Sequence, residues 1–101
     1  MATVQLSRGA ETDVAKADGS SKDAILKGLA KLRVSPELRG APLRDELDGL
    51  RKLTLGSHNM RIVYRYDSSA DVVRVIAIGL RRDEEVYRLA LARLSELDDP
   101  K

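Results

Sequence analysis

Three strand-like segments follow one another between Gly49 and Tyr87, separated by connections too short to hold a helix. This constrains the fold more than any other feature, because strands joined by short turns pair antiparallel. In Leu50–Leu55 the apolar Leu53 and Leu55 alternate with Lys52 and Thr54. Side chains alternate across a strand, so Lys52 and Thr54 share a face. In Arg61–Tyr66, Arg61, Val63 and Arg65 take one face, and Ile62, Tyr64 and Tyr66 take the other. Val72–Leu80 is apolar on both faces apart from Arg74, the pattern of an interior strand. Gly56-Ser57-His58-Asn59 and Asp67-Ser68-Ser69-Ala70-Asp71 are the predicted turns.

The flanking segments predict helices. Thr3–Leu6 reads as a short strand, and Ser7 is placed to cap a helix over Arg8–Ala17. Asp18-Gly19-Ser20 breaks it. Ser20 and Asp23 have capping-box spacing, and Ile25, Leu29 and Leu32 then mark one face of a second helix ending near Arg33. Residues 34–48 hold Ser35-Pro36 and Gly40-Ala41-Pro42, so a connector is expected, with a turn of helix near Leu43–Leu47. Acidic Asp83-Glu84-Glu85 suits a helix N-terminus, and Val86, Ala90, Leu94 and Leu97 continue down one face. The order β-α-α-β-β-β-α predicts an α+β domain spanning residues 1–101. Its small antiparallel sheet is expected to carry the helices on one face, leaving the other for function.

Composition narrows the chemistry. There is no cysteine, which excludes a disulfide framework and a thiolate metal site, and one His makes a His-rich site improbable. The longest apolar run, Val75–Leu80, is too short to span a bilayer, and no secretion signal opens the chain. A cytoplasmic protein is expected. Net charge is only +2, but it is unevenly spread. Residues 1–48 are neutral, 49–82 hold seven Lys/Arg against two Asp/Glu, and 83–101 hold three against six. The cations therefore collect on the predicted sheet, which suits a polyanion.

Lys52, Arg61 and Arg81 lie on or at the ends of successive strands, and an antiparallel meander brings them together. Tyr87 falls early in the last helix. Cations beside an aromatic ring suit single-stranded RNA, where they hold phosphate and the ring stacks on a base. Charge runs are ordinarily solvated surface. This one is set apart by the missing acids and by Arg81-Arg82, which follow Gly79 at a strand end. RNA carries its own nucleophile, the 2′-OH, so cleavage needs alignment, charge stabilisation and proton transfer. Arg supplies charge but not a base. Lys serves as a base only where burial or like charges favour its neutral form, and Arg51, Arg61 and Arg81 crowd Lys52. His58 sits in a turn and is read as solvated. Tyr64 and Tyr66 are read as core.

The stretches PELRGAPLRDELDGLRKLTLGSHNMRIVYRYD and VVRVIAIGLRRDEEVY resemble the RelE/ParE superfamily of toxins from type II toxin–antitoxin systems. The ordered set is a G-x-P-L connector, a basic strand after L-x-G-L, an R-I-V-Y strand, I-x-I-G-x-R, and a V-Y on the last helix. Each motif is weak alone; together they cover nearly the whole chain. The resemblance is greatest to the RelE branch, whose members cut mRNA in the ribosomal A site and are held by an antitoxin. It implies a RelE-like fold and a metal- and cofactor-free endoribonuclease whose partners are a cognate antitoxin, the ribosome and mRNA. By the same resemblance Lys52 and Arg61 stabilise the transition state, Arg81 assists the leaving 5′-oxygen and Tyr87 orients the substrate. Arg51, Arg65 and Arg82 are expected RNA contacts. One position departs from the pattern: Thr54 stands where RelE proteins often carry a second Lys that accepts the proton. A ParE-like toxin that binds DNA gyrase and cleaves nothing, or a weakened binding module in a repressor complex, is the alternative.

Overall fold

The structure, a computed structural model, describes residues 1–56 and 59–97. In chain order the elements are β1 (Thr3–Leu6), α1 (Arg8–Lys16), α2 (Gly19–Lys31), β2 (Ala41–Pro42), β3 (Arg51–Leu55), β4 (Met60–Asp67), β5 (Val72–Leu80) and α3 (Glu85–Ala92). They form an α+β fold with one sheet of order β1-β5-β4-β3-β2. The predicted meander β3-β4-β5 is antiparallel throughout. β1 differs, pairing parallel with β5 from Thr3↔Val72 to Leu6↔Val75, so the sheet is mixed. The chain that separates β1 from its parallel partner, from the helical hairpin through β4, is far longer than the crossover such a pairing requires.

Local chemistry sets the helix ends. The Ser7 hydroxyl accepts from the Ala10 amide at 3.1 Å, capping α1 as expected. The cap of α2 is Asp18 rather than Ser20, its carboxylate accepting from the Ser21 amide at 2.9 Å. Asp18 both ends the break and opens the next helix, so the two helices are joined by two residues. The connector holds two single 3-10 turns, Pro36–Leu38 and Asp45–Leu47, and between them the two-residue strand β2, which the sequence reading missed. Gly40 has φ +61°, and a Cβ there would collide with the Lys52 carbonyl. Only glycine lets β2 run this close to β3.

Two hydrophobic clusters sit on opposite faces of the sheet. On one, Ile25 and Leu32 of α2 and Ala10 of α1 close over Leu53, Leu55, Ile62, Tyr64, Val73, Val75 and Ile78. Gly28 brings α2 down onto this face, since a Cβ there would run into the Leu55 side chain. On the other, Val86 and Ala90 of α3 cover Val63, Ile76 and Ala77, with Leu43 and Leu47 of the connector beside them. The expectation that all helices pack on one face is therefore corrected: α3 lies opposite α1 and α2. The cause is that β5 is apolar on both sides, so a single helical layer leaves half of it wet.

A β-bulge makes the two-sided packing possible. In the β4–β5 register Tyr64 opposes Val75 and Val63 opposes Ala77, leaving Ile76 as the extra residue. Ile76 and Ala77 both face α3, whereas Val75 and Ile78 face the hairpin. The inserted residue thus reverses which β5 positions point to which side.

Candidate functional site

The α3 side of the sheet collects the cations. Register places Lys52 opposite Val63, which opposes Ala77, and Thr54 opposite Arg61, which opposes Gly79. Lys52 and Arg61 are diagonal neighbours across β3 and β4, within reach of each other's long side chains. After the bulge, Ala77, Gly79 and then Arg81 have the phase of this side. The Arg81 amide donates to the Asn59 carbonyl at 3.0 Å, extending the ladder one step past β5. Arg81 and Arg82 are both exposed, at the strand end where a 3-10 turn leads into α3.

α3 brings Tyr87 to the same place. Val86 and Leu89 lie 3.6 Å from where a Gly79 Cβ would be, so α3 packs over this end of β5 at ordinary contact distance. The Lys52 ammonium stands 5.8 Å from the Tyr87 ring centroid, within cation–π range. Lys52 and Tyr87 are half-buried, as is Arg61, whose Nη1 donates to the Met60 carbonyl at 3.0 Å. The apolar floor of Val63 and Ala77 is fully buried beneath them. Lys52, Arg61 and Tyr87 are thus gathered at one patch with Arg81 at its rim.

Two expected RNA contacts fall elsewhere. Arg51 opposes Tyr64 and therefore lies on the other face. Its Nε and Nη2 donate to the Arg39 carbonyl at 3.1 and 2.9 Å, and the Tyr64 hydroxyl donates to the Pro36 and Arg39 carbonyls, both at 2.9 Å. Burial pushes the Tyr64 phenol above its ordinary pKa, with Arg51 pulling the other way. Arg51 thus serves to tie down the connector, and the crowd around Lys52 loses one member. Arg65 is on the cationic side but four residues beyond Arg61, about 13 Å along the strand. There it opposes Arg74, a basic position the sequence reading left out of the site. The signal was present, because Arg74 is the one charged residue in β5. His58 lies outside the described residues.

Comparison with known proteins identifies the family. A family model described as the ParE toxin of type II toxin–antitoxin system, parDE, matches residues 4–85. The chain belongs to this family of toxins, within the RelE/ParE superfamily. No curated protein matches the sequence significantly. Among solved structures, a variant of the Escherichia coli toxin RelE in the free state is similar at 28% identity and TM-score 0.76, covering 93% of this chain and 99% of that one. The toxin–antitoxin complex RelBE2 of Mycobacterium tuberculosis matches at 27% identity and TM-score 0.71, covering 79% and 91%. The intact E. coli RelBE toxin–antitoxin complex matches at 25% identity and TM-score 0.63, covering 79% and 96%. The protein is a toxin component of a type II toxin–antitoxin system.

Proposed function

We propose that this toxin is an endoribonuclease that cuts mRNA in the ribosomal A site without a metal or cofactor. The observation that carries the reading is the Lys52 ammonium held over the Tyr87 ring, diagonal to Arg61 and beside the Arg81 strand end. The RelE structures at 25–28% identity support the same assignment.

In this reading Tyr87 stacks on a base and fixes the scissile phosphate beside the cations. The 2′-oxygen attacks phosphorus, the P–O5′ bond breaks, and a 2′,3′-cyclic phosphate and a 5′-OH result. Negative charge grows on the non-bridging oxygens, where Lys52 and Arg61 stabilise it. Arg81 offers a hydrogen bond to the departing 5′-oxygen, which takes its proton from water to leave as the 5′-OH. Thr54 lies next to Arg61 in register and is exposed, but a threonine hydroxyl is not a general base at neutral pH. Proton removal from the 2′-OH then falls to Lys52 or to the ribosome. Arg82 and Arg65 extend the contact to flanking phosphates.

Mapping mRNA 5′ ends after induction tests the reading. Codon-phased cuts that disappear in Arg61→Ala and Arg81→Ala support it; intact mRNA with accumulating DNA breaks sinks it. A pH–rate profile left unchanged by Lys52→Arg would remove Lys52 as the base. The second reading, a ParE-like toxin that binds DNA gyrase and leaves RNA intact, is favoured by the family model and by Thr54.

A further inference from the structure

Around the bulge, β5 has lost its neighbour strand, because β1 pairs with it only as far as Leu6↔Val75. Side chains from both helical layers meet the backbone there instead. The Ser7 hydroxyl donates to the Ile76 carbonyl at 3.2 Å, and the Ile78 amide donates to Asp13 Oδ2 at 2.9 Å. From the other side of the sheet, Arg93 Nη1 donates to the same Ile76 carbonyl at 3.1 Å and to Asp13 Oδ2 at 2.8 Å, and its Nη2 donates to Asp13 Oδ1 at 3.2 Å. The two side chains are only 16% (Arg93) and 10% (Asp13) exposed. Gly9 leaves the room, since a Cβ there would collide with the guanidinium. Arg93 is the C-cap residue of α3.

We propose that Asp13 and Arg93 are positioning residues for the site that Tyr87 helps to form. They strap α3 to α1 around the edge of β5 and hold the bulge in phase. The first effect fixes where Tyr87 stands over Lys52. The second keeps Gly79 and Arg81 on the α3 side. A buried ion pair is by itself weak evidence of stabilisation, and apolar replacements are often neutral. This pair is spent on backbone atoms of the bulge, whose phase decides which face the following residues occupy. What it specifies is geometry. Its catalytic consequence rests on the nuclease reading; its mechanical consequence does not.

The test uses the full chain with Asp13→Asn and Arg93→Met, read two ways. Amide hydrogen exchange is followed across α3 and across β4, together with the ring resonances of Tyr87. Exchange over residues 85–92 should quicken about tenfold in both variants while β4 stays as in wild type, and the Tyr87 signal should shift. In parallel, kcat for cleavage of ribosome-bound mRNA should fall ~10–100-fold in Arg93→Met, as expected for a misplaced stacking group, with KM within about twofold. Adding Tyr87→Ala should cost nothing further in that background, whereas adding Arg61→Ala should still multiply the loss. Arg93→Lys, which keeps charge without the two-pronged fork, should recover part of the rate. Unchanged α3 exchange and Tyr87 resonances would overturn the proposal. So would β4 and α3 exchange rising by the same factor, or failure to fold in both variants, since the pair would then hold the whole fold rather than one helix. If the wild type cleaves no RNA, the nuclease reading fails and the exchange arm alone decides this one.

Discussion

The two faces of this sheet are built from alternate residues of the same strands, yet they are finished differently. On the hairpin side Ile25, Leu32, Ile62, Tyr64, Val73 and Val75 are fully buried, and the cations that reach it, such as Arg51, are bonded to backbone carbonyls. On the α3 side a small apolar cluster holds one short helix, and Lys52, Arg61, Arg65, Arg74 and Arg81 remain at least partly accessible. The first face closes a core. The second tolerates like charges directly opposite one another, Arg65 and Arg74, an arrangement that costs stability. In the nuclease reading this accessible side meets the RNA, and the closed hairpin side supplies the stability.

Substitutions on the two faces should therefore separate activity from stability. Arg61→Ala should lower cleavage of ribosome-bound mRNA by roughly 10²–10³-fold, the cost of removing one preorganised charge-stabilising group. Its denaturation midpoint should stay near that of wild type, because the side chain is only half-buried. Ile25→Ala on the hairpin side should show the reverse. Ile25 is fully buried, and opening a cavity there should cost about 2–5 kcal/mol in urea unfolding. The folded fraction should cleave at the wild-type rate. A large rate loss in Ile25→Ala, or a large stability loss in Arg61→Ala, breaks the division.

Tyr64→Phe sharpens it. Removing the hydroxyl takes away the hydrogen bonds to the Pro36 and Arg39 carbonyls, at roughly 1–3 kcal/mol for buried groups left without a partner. Arg51 still reaches the Arg39 carbonyl, so the loss should fall at the low end of that range. Cleavage should not change. The measurement is equilibrium unfolding beside single-turnover cleavage.

How much of this was readable in advance follows the same division. Period-two alternation is local, and it placed Lys52 with Thr54, Arg61 with Arg65 and Tyr64 in the core. The same alternation puts Arg51 opposite Lys52, so its assignment to the RNA face overrode a signal already present. The bulge was not legible, because Val75-Ile76-Ala77-Ile78 has no polar or glycine marker at the inserted residue. Without it the phase of Arg81 was out of reach, whereas the place of α3 was open to inference from a β5 that is apolar on both faces. Nothing in the local sequence marks Asp13, because its partners, Ile78 and Arg93, lie 65 and 80 residues away. The family was legible from ordered motifs. The division between nuclease and gyrase-binding toxin was not, because it turns on chemistry at Thr54.

Thr54→Lys addresses that position directly. Thr54 is exposed and opposes Arg61 on the cationic side, so a lysine there fits without repacking. If the protein is a nuclease short of a proton acceptor, the variant should cleave about tenfold faster at pH 8, within the low end of what a positioned base contributes. The gain should shrink toward pH 6, because the neutral fraction of a lysine falls about tenfold for each unit below its pKa. A gyrase-binding toxin gains no RNA cleavage from the change.

The smallest expected effects lie at the β4–β5 turn, away from the patch around Lys52 and Tyr87. The Asp67 carboxylate accepts from the Ser69 hydroxyl at 2.7 Å, and this bond holds its pKa below the ordinary 3.8. A depressed carboxylate contributes stability above the unfolded value and loses it as pH falls through the folded one. The Tyr66 hydroxyl donates to Asp71 at 2.7 Å, which pushes the phenol up to about 12 from 10.0. That contribution is present below pH 10 and is lost as pH rises toward 12. Asp67 is exposed and Tyr66 only half-buried, so the changes should be slight. Asp67→Asn should flatten only the acid arm of the stability profile and Tyr66→Phe only the alkaline arm. Between pH 5 and 9 neither should alter cleavage. A change in the cleavage profile of either variant within that window would mean that the turn communicates with the cationic patch, and the division between the parts of the sheet that hold the fold and those that use it would have to be redrawn.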